Sequence, residues 1–126
     1  RPAPSPAHLQ TMRLLLLEEG HCFRDQALSF CEAQGARPRH IMEGSSLSTL
    51  VQMVGAGIGA TLIPEMALPF ETRSADVSVT RFPAPAPKRT IGMIWRKASP
   101  LSEPLMTMGA IIRAVAKTKT AEAAAG

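Results

Sequence analysis

A short apolar run, Met12–Leu17, constrains the fold more than any other feature of the sequence. Only Arg13 interrupts it, and a continuous apolar run of this length is typical of a strand that is buried on both faces. Such strands occur in parallel sheets, whose faces are covered by crossover helices. The run is also far too short to cross a bilayer. It therefore predicts an α/β fold and gives no indication of a membrane-spanning segment.

Helix and strand patterns alternate after this run. Apolar residues recur at helical spacing across Phe23–Gln34, and Gly35 is a typical helix stop. Ser45 and Ser46 are typical N-cap residues for a second helix that continues to Val54. Because helices separate the short strands, the order indicates a parallel sheet with crossover connections. The sequence also predicts strands at His40–Glu43, Ala60–Ile63, Val77–Phe82 and Thr90–Trp95, and a last helix at Ser102–Ala116.

The Pro-rich segment Pro83–Pro87 divides the chain. Its three prolines fix φ and remove backbone donors, so we predict an extended connector. The strand and helix that follow the connector look separable from the first 82 residues. We therefore expect this last segment to return to a neighbouring subdomain.

Charge and composition exclude several functions. The net charge is +4, but the 14 lysines and arginines are scattered, and aromatic residues make up only 4% of the chain. No segment has the pattern of a helix-turn-helix or a zinc finger, so we do not expect this chain to bind nucleic acid by itself. The two cysteines and three histidines lack ligand spacing, so neither a metal site nor another cofactor is expected. The N-terminus does not read as a secretory signal, which favours a cytoplasmic protein.

Cys22 lies at the predicted start of the first long helix, where a thiol can become reactive. Unpaired backbone N–H groups at a helix start stabilise an anion, and a nearby cation does the same. His21 precedes the cysteine, and Arg24 and Asp25 follow it in the first turn. Cys22 thus has the ingredients of an oxidisable thiolate, although a lone cysteine before a helix is more often an inert small hydrophobe.

Cys31 follows nine positions later, near the end of the same predicted helix. An intact helix places the two Cα atoms about 13 Å apart, whereas a disulfide needs roughly 4.4–6.8 Å. The two sulfurs can therefore join only if the helix between them unwinds, and such a bond is suited to a switch. The alternative is that both thiols are buried packing residues that never meet.

Several segments resemble the peroxide-sensing members of the LysR-type transcription regulators. The most specific is Gly-His-Cys-Phe-Arg-Asp-Gln-Ala at residues 20–27, followed by the second cysteine at position 31. The Gly-rich run that ends in Leu-Ile-Pro, Met53–Pro64, resembles a segment common to many LysR-type regulators. It therefore indicates the superfamily and not its peroxide-sensing members. Ser46–Leu50 and Lys88–Gly92 match as well. The resemblance covers most of the chain, without an obvious gap.

The resemblance implies a regulatory domain of the periplasmic-binding-protein type, with two α/β subdomains around a cleft. Residues 1–11 would be a linker or crossover segment, and residues 12–89 would form regulatory subdomain II with the cysteine pair. Residues 90–116 would be a crossover strand and helix that return to subdomain I, and residues 117–126 a flexible tail. The resemblance also implies that the chain is a fragment, without the N-terminal helix-turn-helix, the linker helix and most of subdomain I.

For the cysteines, the resemblance implies two distinct roles. Cys22 would be the peroxidatic thiol, which hydrogen peroxide oxidises to a sulfenic acid. Cys31 would be the resolving thiol, which condenses with that acid to a disulfide. His21 and Arg24 match the motif around the reactive cysteine and are candidates to stabilise the thiolate or to protonate the leaving hydroxide.

Other polar residues match the family as well. Asp25 belongs to the same motif, but it can equally be a charge partner of the helix N-terminus. Arg89 matches an arginine of the family that lies near the pocket around the reactive cysteine. Ser45 and Ser46 match the position where other LysR-type regulators bind small effectors, and here we expect them to be helix caps.

The resemblance also implies partners and excludes catalysis. The signal would be hydrogen peroxide, and the protein would assemble as a homo-oligomer, either a dimer or a tetramer. It would contact DNA through the absent N-terminal domain, act with RNA polymerase, and be reset by a thiol reductant such as glutaredoxin. Because the protein reacts stoichiometrically before it is reset, it would be a sensor and not an enzyme.

Two alternatives make different predictions. A small-molecule effector-binding domain with incidental cysteines would show saturable ligand binding and would be indifferent to peroxide. A thiol peroxidase would need turnover with a thiol reductant, and no peroxidase-like Pro-x-x-x-Thr-x-x-Cys pattern precedes Cys22.

Overall fold

A computed structural model of the chain describes residues 5–125. Helices and short strands alternate through the first half of the chain, and one long helix occupies the C-terminal part. A short 3-10 turn precedes the fourth helix. In chain order, the elements are α1 (Pro6–Thr11), β1 (Arg13–Leu17), α2 (Cys22–Ala33), β2 (His40–Gly44), α3 (Leu47–Gly55), β3 (Ala60–Thr61), α4 (Leu68–Glu71) and α5 (Ser102–Ala125).

Within the described residues, three strands form a parallel sheet in the order β2-β1-β3. Leu15 of β1 is in register with Met42 of β2 and with Thr61 of β3. Because β1 has a neighbour on each side and Leu14–Leu17 are buried, the central strand is enclosed in every direction. The structure therefore confirms the predicted α/β fold with a strand buried on both faces.

Alternate leucines of β1 build the two halves of the core. Leu14 and Leu16 belong to a buried cluster with residues of α2. Leu15 and Leu17 point to the other face and pack with Leu50 of α3. Burying a leucine side chain contributes about 1.5–3 kcal/mol relative to leaving it exposed. This strand therefore fixes the positions of both helices that begin at the candidate site.

Two glycines are required by the backbone around this sheet. Gly59 lets β3 approach β1, because an added Cβ would collide with the carbonyl oxygen of Arg13. Gly35 has a φ of 70°, in the left-handed region that favours glycine after a helix. The predicted stop of α2 at this position is confirmed.

Two predicted strands, Val77–Phe82 and Thr90–Trp95, are wrong. Both segments are irregular, and neither has a ladder partner among residues 5–125. A strand depends on hydrogen bonds to a neighbouring strand, and a side-chain pattern alone does not provide that neighbour. The predicted strand Ala60–Ile63 is also shorter than expected, since only its first two residues pair with β1.

The start of the chain is more helical than predicted. The segment expected to be a linker, residues 1–11, contains α1. The hydroxyl of Ser5 caps this helix by accepting a hydrogen bond from the backbone N–H of His8 at 3.2 Å. Serine is among the preferred N-cap residues, because its oxygen satisfies a donor that the helix leaves unpaired. The first four residues of the predicted linker lie outside the described residues.

The last helix is longer than predicted. We expected it to end at Ala116 and to be followed by a flexible tail at 117–126, but α5 continues to Ala125. The added residues are mainly alanine, lysine and threonine, and no glycine or proline interrupts them. Alanine and lysine are strong helix formers, which explains the extension. Gly126 lies outside the described residues.

The chain forms two compact units, Arg1–Arg89 and Thr90–Gly126. The first contains the sheet and α1 to α4. In the second, Met93 lies over Gly109 of α5, and its Sδ would be 3.7 Å from a Cβ added there. No helix in the described part of the chain is both long enough and apolar enough to cross a membrane.

Candidate redox site

The candidate site lies at the carboxyl edge of the parallel sheet, where α2 and α3 begin. The turn after β1 contains Gly20, with a φ of 93°, and leads directly into α2. The backbone N–H of Glu18 donates to the carbonyl oxygen of Gly44 at 3.1 Å, which joins the ends of β1 and β2. Open α/β sheets bind their ligands at this edge. The fold thus places the first turn of α2 where a small reactant can reach it.

Cys22 is the first residue of α2, and its side chain is an exposed free thiol. His21 occupies the N-cap position, and its side chain makes no capping hydrogen bond. The carbonyl oxygen of His21 accepts a hydrogen bond from the backbone N–H of Arg24 at 3.0 Å. The first N–H groups of a helix have no intrahelical acceptor, so the backbone around Cys22 favours negative charge. The predicted position of Cys22 at a helix start is confirmed.

Arg24 binds the ends of two strands in this structure. Its Nη1 donates to the carbonyl oxygen of Leu17 at 2.9 Å and to Oε1 of Glu43 at 2.6 Å. The arginine side chain is 14% exposed and that of Glu43 is 44% exposed, so the ion pair is partly shielded from water. Arg24 therefore fixes the first turn of α2 against β1 and β2.

Glu43 is a site residue that the sequence pattern does not identify. It reaches Arg24 because Leu16 and Glu43 are in register across β1 and β2. That register joins residues that are far apart in the sequence. The available signal was a carboxylate close to the end of a predicted strand, which is too common a feature to identify an ion pair.

The side chains of His21 and Asp25 are exposed. Among the described residues, neither side chain has a hydrogen-bond partner. Asp25 does lie in the first turn of α2, where a carboxylate interacts favourably with the positive end of the helix dipole. The structure therefore brings both residues to the same turn as Cys22 without fixing their side chains.

Arg89 lies against the same turn of α2. The Cζ of its guanidinium is 5.3 Å from the centroid of the Phe23 ring, which is a cation–π contact. Phe23 follows Cys22 directly in the sequence. The structure thus brings Arg89, from a point far along the chain, to the residue that follows Cys22.

Cys31 has the opposite environment to Cys22. It is a free thiol with only 1% of its surface exposed, and it packs in the core cluster with Leu14 and Leu16. Burial raises the pKa of the Cys31 thiol above its ordinary value of 9.0, and the charge of Glu32 raises it further. Cys31 is therefore held as a protonated thiol at neutral pH.

The two cysteines lie on opposite sides of α2. At about 100° per residue, nine residues amount to two and a half turns, so the two side chains project in opposite directions. Their Cα atoms are about 13 Å apart along an intact helix of this length. Both the separation and the direction exclude a disulfide while α2 remains helical.

The second helix start, at α3, is capped by its own serine. Ser46 Oγ accepts a hydrogen bond from the backbone N–H of Thr49 at 3.2 Å, which confirms the predicted cap. The same expectation is wrong for Ser45, which is exposed and lies one residue before the N-cap position that Ser46 occupies. No group of three His, Cys, Asp or Glu side chains within residues 5–125 is arranged to hold a metal ion.

The fold matches a known class of regulator domains. The LysR substrate binding domain family matches residues 1–117. The chain therefore belongs to the LysR substrate-binding domain family.

Several relatives of this chain are named as hydrogen peroxide-inducible genes activators. The chain is 43% identical over 108 residues to the DNA-binding transcriptional dual regulator OxyR of Escherichia coli K12, covering 86% of this chain and 35% of that protein. It is 44% identical over 100 residues to the probable hydrogen peroxide-inducible genes activator of Mycobacterium avium, covering 79% and 32%. The chain thus spans about a third of the length of these curated relatives.

Solved structures of OxyR from Corynebacterium glutamicum share the fold. A cysteine mutant matches with a TM-score of 0.76 at 30% identity, over 99% of this chain and 39% of the other. The hydrogen peroxide-bound form of a cysteine-to-serine mutant matches with the same TM-score at 29% identity, over 99% and 40%. These likenesses confirm the predicted fold class of an α/β regulatory domain.

Proposed function

We propose that this chain is the redox-sensing part of a LysR-type transcription regulator that responds to hydrogen peroxide. The observation that carries the proposal is the contrast between the two thiols of α2. Cys22 is exposed at the helix start, whereas Cys31 is buried on the opposite side. One thiol is therefore accessible to an oxidant, and the other is kept away from both the oxidant and the first thiol.

The chemistry proceeds in two balanced steps. The thiolate of Cys22 attacks one oxygen of hydrogen peroxide, the O–O bond breaks, and hydroxide leaves, which converts Cys22 to a sulfenic acid. The thiol of Cys31 then attacks the Cys22 sulfur and displaces the hydroxyl, which leaves with a proton as water. The second step requires α2 to unwind, because an intact helix separates the sulfurs.

The polar residues of the first turn assist the first step. His21 and Arg24 stabilise the thiolate of Cys22 or protonate the leaving hydroxide. Arg89 adds a second positive charge to the pocket, and Asp25 interacts with the helix N-terminus.

Oxidation of the cysteine pair takes effect in the longer protein, of which this chain is a part. Residues 12–89 form subdomain II of its regulatory domain, and residues 90–116 return to subdomain I. Unwinding of α2 changes the surface through which protomers assemble into a dimer or tetramer, and this assembly alters contacts with DNA and RNA polymerase. A thiol reductant such as glutaredoxin resets the pair in the cytoplasm. Because each protein reacts once per reset, it is a sensor and not an enzyme.

Mass spectrometry of the full-length protein tests this proposal. After one equivalent of hydrogen peroxide, we expect a peptide that links Cys22 to Cys31, with the loss of two hydrogens. Cys22→Ser should give no link and no sulfenic acid. Cys31→Ser should accumulate the sulfenic acid of Cys22, which dimedone traps. If both thiols still alkylate freely after peroxide, the sensor is excluded and a small-effector domain with incidental cysteines takes its place.

A further inference from the structure

We propose that the segment Phe82–Arg89 is a brace that holds α2 in its helical form, and that Phe82 is a positioning residue for the resolving thiol. This inference rests on the proposed function, since it concerns the step in which Cys31 reaches the oxidised Cys22. It assigns a role to an aromatic side chain outside the motif that surrounds the cysteines.

The brace contacts α2 near both of its ends. The ring of Phe82 packs edge-on against the ring of Phe30, with the centroids 4.7 Å apart and the planes inclined by 66°. At the other end of the segment, the guanidinium of Arg89 lies over the ring of Phe23. The segment therefore runs antiparallel to α2 and is attached to it near the start and near the end.

The two contact points flank the residues that have to move. Phe23 follows Cys22, and Phe30 precedes Cys31, so each contact residue is the sequence neighbour of one of the cysteines. The backbone between the thiols cannot unwind without displacing Phe30 from its contacts. Phe30 also packs against the core cluster that contains Cys31. Phe82 therefore covers Phe30 from outside that cluster and opposes the release of the buried thiol.

The composition of the segment suits a brace. Pro83, Pro85 and Pro87 lie between its two contact points. Each proline fixes φ and removes a backbone donor, so the segment between Phe82 and Arg89 samples fewer conformations than an ordinary loop. A restricted connector loses little additional entropy when it is attached at both ends, and the attachment is correspondingly persistent.

Two rate measurements on the full-length protein test the role of Phe82. In Phe82→Leu, the ring contact is lost but an apolar side chain remains. We expect disulfide formation from the sulfenic acid to accelerate roughly twofold to tenfold, the factor that corresponds to the loss of one aromatic pair. Formation of the sulfenic acid, followed by dimedone in a Cys31→Ser background, should stay within about twofold. Phe82→Tyr keeps the ring and should retain the wild-type rate.

Phe70→Leu is the matched control. Phe70 is an exposed phenylalanine of α4. Its ring makes a cation–π contact with Arg73 and not with a residue of α2. This variant should change neither rate. If Phe70→Leu accelerates the disulfide step as much as Phe82→Leu, a general loss of stability explains the effect and the brace is excluded.

Hydrogen exchange of the reduced protein separates this inference from the proposed function. Without peroxide, Phe82→Leu should increase amide exchange in α2 and leave α3 unchanged. If α2 is not affected, or if its faster exchange leaves the disulfide step unchanged, the brace is overturned. If the wild-type protein forms no disulfide while α2 exchanges faster in Phe82→Leu, the proposed function fails and the restraint on the helix stands.

Discussion

At the residue scale, the two thiols of α2 differ in their access to solvent. Cys22 is exposed, whereas Cys31 is buried with a raised pKa. Because the thiolate is the reactive form, the environment of Cys31 protects it twice, through exclusion of the reagent and through retention of its proton.

Alkylation should therefore be strongly selective in the reduced native protein. We expect iodoacetamide at pH 8 to modify Cys22 first and Cys31 only after much longer times or in denaturant. Peptide mass spectrometry over a time course measures both rates in one sample. Equal rates for the two thiols in the native protein would show that Cys31 is not held in the core.

At the scale of the elements, Arg24 joins α2 to the ends of two strands. Its guanidinium donates hydrogen bonds both to the carbonyl oxygen of Leu17 and to the carboxylate of Glu43. Hydrogen bonds that involve a charged group contribute about 1.5–3 kcal/mol. This contribution is reduced where the partner is exposed to water, as Glu43 partly is.

We expect Arg24→Ala to lower the free energy of unfolding by roughly 1–3 kcal/mol. Glu43→Ala should cost less, because Arg24 still donates to Leu17 in that variant. Urea denaturation followed by circular dichroism measures both effects. A cost for Glu43→Ala that equals or exceeds the cost of Arg24→Ala would contradict the assignment of two acceptors.

The start of α3 depends on one hydroxyl. Ser46→Ala removes the acceptor for the Thr49 N–H and should lower stability by about 0.5–2 kcal/mol. Thermal denaturation compares this variant with Ser45→Ala, whose exposed side chain makes no hydrogen bond within the described residues. The control should be close to wild type, and an equal loss in both variants would argue against capping by Ser46.

The elements that the sequence predicts well are those determined by local patterns. The bounds of α2 differ by one residue from the predicted Phe23–Gln34, because helical spacing and Gly35 are local signals. The segment Thr90–Trp95 has a strong strand pattern, yet a strand also needs a hydrogen-bonded neighbour. The same limit applies to the site. The cysteines and their flanking motif were recognisable, whereas the contacts of Arg24 with Glu43 and of Phe82 with Phe30 depend on tertiary packing.

At the scale of the whole molecule, the core of the first unit is linked to pH through Cys31. The folded state holds the thiol proton at a pKa above 9.0, whereas the unfolded chain releases it near the ordinary value. Below this pH both states bind the proton and the buried thiol contributes its full stability. As the pH rises past 9, the unfolded state loses the proton first, so stability falls.

We therefore expect the free energy of unfolding to decline above about pH 9 with a component that Cys31→Ala lacks. Urea denaturation between pH 7 and pH 10 under reducing conditions measures the slope. Cys22→Ala, which retains the buried thiol, should keep the decline. If Cys31→Ala declines as steeply as the wild type, other groups account for the pH dependence.

The position of both thiols on one intact helix also has an electrochemical consequence. Under the proposed function, reduction of the pair lets α2 refold, and the free energy of refolding adds to the driving force for reduction. For a two-electron couple, each 1.4 kcal/mol gained in this way makes the midpoint potential about 30 mV more positive. Substitutions that stabilise α2 would therefore make the pair a stronger oxidant, easier to reduce and harder to keep oxidised. The stability of α2 would therefore determine the redox potential of the surroundings at which the disulfide persists.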